Sequence, residues 1–158
     1  MSRAFSLMEV LIVVALFGGL FIFSIIALNQ FSGTKTLDTS TIEIASVVNE
    51  ARSKAMGSVG ASSYGIHFTS STVTLFKGET YNASDPDNQI TTLSSRIQIS
   101  AINFTTGGSD IVFARASGKV NTTGNVVVML VSDASKTRTI TIEATGLIRV
   151  ARHVTYAV

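Results

Sequence analysis

The stretch from Phe5 to Leu28, FSLMEVLIVVALFGGLFIFSIIAL, carries a single charge, Glu9, and it limits what this chain can fold into more than any other feature. As a helix rising about 1.5 Å per residue it reaches roughly 36 Å, enough to cross the hydrocarbon core of a bilayer. The spacing predicts one transmembrane helix over residues 5–28, and nothing later in the chain is comparably apolar. A cleaved secretory signal fits less well. Its apolar core runs about 7–15 residues and ends in a small-residue exit, whereas Leu28-Asn29-Gln30 offers none. Arg3, ahead of the helix, favours an N-terminus on the inside and residues 30–158 outside the cytoplasmic membrane.

A chain of 158 residues holds one compact domain with an attached segment. Apolar residues make up 46% against 14% charged, which excludes a disordered tail. The formal charge of +2 is too small to announce a nucleic-acid protein. With no Cys there are no disulfides, thiolate nucleophiles or cysteine zinc sites. Only His67 and His153 are available to a histidine cluster, so no cofactor, no metal and no enzymatic activity are expected.

Glu9 is the least ordinary residue. A carboxylate in an apolar helix costs about 2.5–3.5 kcal/mol at the bilayer centre and less near an end, so a partner is expected. Arg3 is the only nearby cation in the sequence. Proteolysis just before Phe5 would create a new α-amine able to neutralise Glu9 in the same chain or in a neighbour.

Past the membrane segment the helical pattern continues over residues 29–57, with a soft spot at Asn29 to Thr36 where Gly33 is expected to bend or melt it. Leu37, Thr41, Ile44, Val48, Ala51 and Ala55 recur on one helical face. Residues 58–158 read as strands and turns. The strands are Tyr64–Phe68, Thr72–Lys77, Gln89–Leu93, Ile97–Phe104, Ile111–Ala114, Asn125–Val131, Thr137–Glu143 and Leu147–His153. Asp85-Pro86-Asp87-Asn88, Gly107-Gly108, Ser117-Gly118, Thr123-Gly124 and Gly146 separate them. The expected fold class is α+β: a long N-terminal helix, its first half transmembrane, packed through its second half on a C-terminal antiparallel β domain.

The run Phe5-Ser6-Leu7-Met8-Glu9-Val10-Leu11-Ile12-Val13-Val14-Ala15-Leu16-Phe17-Gly18 resembles the type III signal and N-terminal helix of type IV pilins and pseudopilins. The resemblance implies a leader of residues 1–4. It also implies cleavage between Ala4 and Phe5 by a prepilin peptidase, methylation of the Phe5 amine, and an assembly role for Glu9 at the fifth mature position. Two departures stand out: Ala4 replaces the usual Gly before the cut, and the helix-breaking Pro of major pilins is missing from Ser24 to Leu28. In the β half, Tyr64-Gly65-Ile66-His67-Phe68, Thr72-Val73-Thr74-Leu75-Phe76, Ile111-Val112-Phe113 with Gly118, and Arg138-Thr139-Ile140-Thr141-Ile142 leading to Gly146-Leu147-Ile148-Arg149-Val150 resemble the GspH/FimT group of minor pseudopilins and minor pilins.

Candidate sites in the β domain compete with structural explanations. His67 alternates with Ile66 and Phe68 and is expected to face solvent. Glu79, Asp85, Asp87 and Asn88 offer oxygens to calcium, yet Asp-Pro-Asp-Asn is equally good turn chemistry and lacks EF-hand spacing. No Gly-x-Ser-x-Gly elbow is present. Arg149 and Arg152 are candidate DNA contacts, but a regular strand sends them to opposite faces.

The reading that follows is a pseudopilin or minor pilin, a structural subunit of a type II secretion or type IV pilus-like filament. Its expected partners are the prepilin peptidase, other pilin or pseudopilin subunits and an inner-membrane assembly platform. Two alternatives stand beside it: a DNA-binding minor pilin for uptake, and an anchored extracytoplasmic β domain that never polymerises.

Overall fold

The computed structural model describes residues 7–152, with backbone only for residues 22–31 and 152. They divide into two units between Thr34 and Lys35. One helix, α1, runs Leu7–Met56, so Gly33 does not interrupt it as expected. A helical glycine costs only about 1 kcal/mol relative to alanine, too little to break a helix extended cooperatively on both sides.

In the first unit, α1 shows exposed apolar side chains from Leu7 (78%) to Phe21 (70%). Its only described charge is Glu9, in the first turn. Among the described residues no helix is long and apolar enough to cross a membrane. The stretch 5–28 falls only partly within them, since Phe5 and Ser6 lie outside and the side chains of 22–28 are not described.

The second unit is built on the other end of α1. Leu37, Ile44, Val48, Ala51 and Ala55 are fully buried and Thr41 nearly so, the same stripe that the 3.6-residue period predicts. Thr41 sits in that stripe without an orphaned hydroxyl, because its Oγ1 donates to the Leu37 carbonyl at 2.7 Å. After a short 3₁₀ turn at Val59–Ala61 come eight strands: β1 Tyr64–Phe68, β2 Thr72–Lys77, β3 Gln89–Thr92, β4 Ile97–Phe104, β5 Asp110–Phe113, β6 Gly124–Leu130, β7 Asp133–Ile142 and β8 Ile148–Arg152. They pair antiparallel into two four-stranded sheets, β3-β2-β1-β5 and β4-β6-β7-β8.

The inward residues of both sheets join the helical stripe in one core. Ile66, Phe68, Val73, Leu75, Ile111 and Phe113 come from the first sheet, and Ile97, Ile99, Val126, Val128, Ile140 and Ile142 from the second. The sheets are tied directly where the Ile99 N–H donates to the Ser70 carbonyl (2.9 Å), and the Phe68 and Phe104 rings meet at 5.9 Å.

β7 starts at Asp133, earlier than the expected Thr137, because Leu130 pairs with Asp133 across a register shift. Asp133 accepts from the Ser135 hydroxyl (2.6 Å) and its backbone N–H (3.1 Å). These bonds, the hydroxyl foremost, and Lys136 hold its carboxyl below the usual range.

Gly65 is required by a close approach. A Cβ there would stand 2.2 Å from the Phe76 ring, which lies across the β1–β2 pair. Gly65→Ala is therefore expected to destabilise the second unit by about 1–3 kcal/mol in denaturant unfolding, with Phe76→Leu in the same chain recovering part of the loss. An unchanged midpoint for Gly65→Ala would contradict the packing.

Candidate functional site

Glu9 lies in the first turn of α1, exposed and flanked one turn on by Ile12 and Val13, themselves 52% and 43% exposed. A carboxylate in this position is favoured by the positive end of the helix dipole. It makes no ion pair among the described residues. Ala4 and Phe5, the expected cleavage junction, lie outside the described residues.

The arginines expected as nucleic-acid contacts occupy different environments. In the β7–β8 register Arg149 stands opposite Thr141 and Arg152 opposite Arg138. Arg149 is 73% exposed and is engaged by Glu143, Nε to Oε1 2.6 Å.

The oxygen-rich turn does not converge. Asp85 accepts from the Asp87 N–H (2.9 Å), and the Asn88 side-chain amide donates to the Asn82 carbonyl (2.7 Å). Asp87 lines a groove with Lys54 and Lys77, while Glu79 lines a different one with Lys119. Among the described residues no group of three carboxylates or imidazoles stands close enough to hold a metal.

Contrary to expectation, His67 is not simply presented to solvent. Register places it opposite Asp110, and its Nδ1 lies 2.5 Å from Asp110 Oδ1. Tyr81 stacks on the imidazole at 4.0 Å with planes 6° apart, and also meets Phe76 at 5.5 Å. This cluster fastens the segment after β2 to the sheet. Alternation gave the correct face for His67 but could not show that the loop returns to cover it.

A second pair missed by sequence reasoning joins α1 to β7. Arg138 is 9% exposed and donates from Nε to Asp38 Oδ1 at 2.8 Å and from Nη1 to the Thr137 carbonyl at 2.9 Å.

The fold matches that of the Pseudomonas aeruginosa type IV minor pilin FimU in two crystal forms. One gives a TM-score of 0.57 at 13% identity, covering 73% of this chain and 92% of FimU. The other gives 0.57 at 14% identity, covering 77% and 92%. The architecture is thus that of a pilin: a long N-terminal helix packed on an antiparallel β domain. No family model matches the sequence. No curated protein matches it either.

The two arginine pairs should separate in stability. Asp38→Asn weakens the hold on a nearly buried guanidinium and is expected to cost about 1–3 kcal/mol in urea unfolding. Arg149→Ala, at an exposed pair, should change stability by less than about 1 kcal/mol. Equal effects would contradict the difference in burial.

Proposed function

We propose that this chain is a minor pilin or pseudopilin, a non-catalytic subunit of a type IV pilus-like or type II secretion filament. The observation that carries the reading is one helix with two faces of chemistry. Its start is exposed and apolar with a single carboxylate, and its end is the core of a pilin-fold β domain. Residues 5–28 hold the subunit in the cytoplasmic membrane, N-terminus inside and β domain outside. A prepilin peptidase removes residues 1–4, and the new Phe5 amine is methylated.

Assembly then exchanges lipid contacts for helix contacts. An assembly platform withdraws the subunit from the bilayer, and its apolar helix packs among those of other subunits. Glu9 supplies direction to an otherwise unspecific apolar surface. In a low-dielectric surrounding its carboxylate attracts and orients the Phe5 amine of a neighbour far more strongly than it would in water. The Ala4-Phe5 junction and the register of Glu9 support the processing step. A DNA-uptake role has less support, because Arg149 is already engaged by Glu143.

Processing is read by intact mass. Protein from cells carrying a prepilin peptidase is expected to lack residues 1–4, and a chain still starting at Met1 would overturn that step. For assembly, Glu9→Gln preserves shape but removes the charge. Filament incorporation is expected to fall at least tenfold with membrane insertion retained, and Glu9→Asp should be intermediate. Incorporation of Glu9→Gln equal to the parent would leave an anchored, non-polymerising β domain as the better reading.

A further inference from the structure

Among the described residues, the second sheet leaves the edge of β8 open. The Glu143 N–H donates to the Leu147 carbonyl at 2.9 Å and the Gly146 N–H returns to the Glu143 carbonyl at 2.8 Å, which fixes the phase of the β7–β8 ladder. Bonded pairs then fall at Thr141·Arg149 and Thr139·Ala151. The backbone groups of Ile148 and Val150 point away from β7, and among the described residues no hydrogen bond reaches them. Val150 is 47% exposed although it stands beside Ile140, which is fully buried. Edge strands are usually blunted by proline, a bulge or an unpaired charge. β8 has no proline and no register shift, and the one arginine of β8 whose side chain is described, Arg149, is tied to Glu143.

At the far side of the same sheet, β4 has a matching half-edge. The Thr105 N–H to Thr123 carbonyl bond (2.8 Å) sets its phase, so Asn103 and Ala101 bond to β6 while Ile102 and Phe104 turn their N–H groups outward. Nearer its start, β4 is already occupied where the Ile99 N–H donates to Ser70.

We infer that β8 of one copy pairs antiparallel with β4 of a second copy, Val150 opposite Ile102 and Ile148 opposite Phe104, making a continuous sheet across the junction. Side chains agree with this register on both faces. Val150 meets Ile102 and Ile148 meets Phe104 on the core side, while Arg149 meets Asn103 and Ala151 meets Ala101 on the other. No like charges are opposed. Three antiparallel steps separate β4 from β8, so the two strands run oppositely within one copy. The junction therefore joins copies that point the same way. The rival β8·β8 pairing reverses one copy and sets Ile148 against Arg152. In excluding that reversal the inference rests on the filament reading, which needs subunit helices to run in parallel.

A head-to-tail contact is not self-closing in pairs and yields a ladder. The chain lacks cysteine, so engineered thiols report it cleanly. Ala151 and Ala101 would form a non-hydrogen-bonded pair with Cα atoms about 4.5 Å apart, within disulfide reach. Inside one copy they lie three strand spacings apart, about 14 Å, too far to bridge.

The test uses the full chain in detergent micelles. Oxidation of the Ala151→Cys/Ala101→Cys double variant is expected to give dimers, trimers and higher species, at least tenfold more than either single variant. Adding Val150→Pro removes an outward N–H that β7 does not use, and should abolish the ladder with far-UV circular dichroism retained. If that variant loses its fold, Val150→Lys at the same exposed position gives the same reading. The inference is overturned if the double variant crosslinks no more than the singles. It is equally overturned if the ladder survives both Val150 substitutions, or if Val150→Cys alone gives a dimer, the product of β8·β8 pairing. Because the assay needs no assembly machinery, its failure leaves the Glu9 incorporation result standing, and the reverse also holds.

Discussion

The second unit depends on one stripe of small and medium apolar residues spaced four and three apart along α1. Leu37, Ile44, Val48, Ala51 and Ala55 supply the surface on which the inward faces of two separate sheets meet. Neither sheet could hide its apolar face from water alone, and burying one side chain of this size is worth about 1.5–3 kcal/mol. The two alanines bring the helix close at its C-terminal end, where Arg52 and Met56 pack against Gly118 and Gly146. There the Ala116 N–H caps the Ala55 carbonyl at 2.9 Å, with Ala116 itself held at φ 62°. The turn glycines are as much part of the core's closure as the strands they connect.

Much of this was legible in the sequence, for a physical reason. A helix facing one core must repeat at 3.6 and a half-buried strand at 2, so Leu37 to Ala55, and β6, are readable from spacing alone. Glu9 stood out as a lone carboxylate in an apolar run. What periodicity cannot carry is partnership across distance. It does not divide eight strands into two sheets, pair His67 with Asp110, or place Asp38 beside Arg138. Nor does it expose the Gly65–Phe76 contact, since a strand glycine looks like weak strand propensity until the ring above it is seen.

The charges follow a consistent logic of burial. Arg138, nearly buried, has both a carboxylate and a carbonyl, as a desolvated guanidinium requires. Exposed Arg149 has a single carboxylate partner, Glu143, in a setting where water already screens it. Glu9 differs from all of these. It is set among exposed apolar side chains and has no cation beside it among the described residues. In an apolar medium such a carboxylate is costly without a partner, and the proposed assembly would supply one as the Phe5 amine of a neighbour.

The sheet edges extend this argument from one residue to the whole domain. β5 is closed by Asn121, which accepts from the Val112 N–H at 3.0 Å and returns its own N–H to the Val112 carbonyl at 3.1 Å. β3 is only four residues long, and β4 is half-covered by Ser70. Among the described residues, β8 combines free backbone groups with an exposed apolar residue, Val150. An edge left in that state invites indiscriminate strand pairing unless its register is constrained. Here the constraint comes from hydrogen-bond phase. β8 turns the backbone groups of Ile148 and Val150 outward and β4 those of Ile102 and Phe104, so a shift of one residue would set outward groups against groups already used inside each sheet. Apolar helices give a filament cohesion without direction, and Glu9 with a phased sheet edge would give the direction.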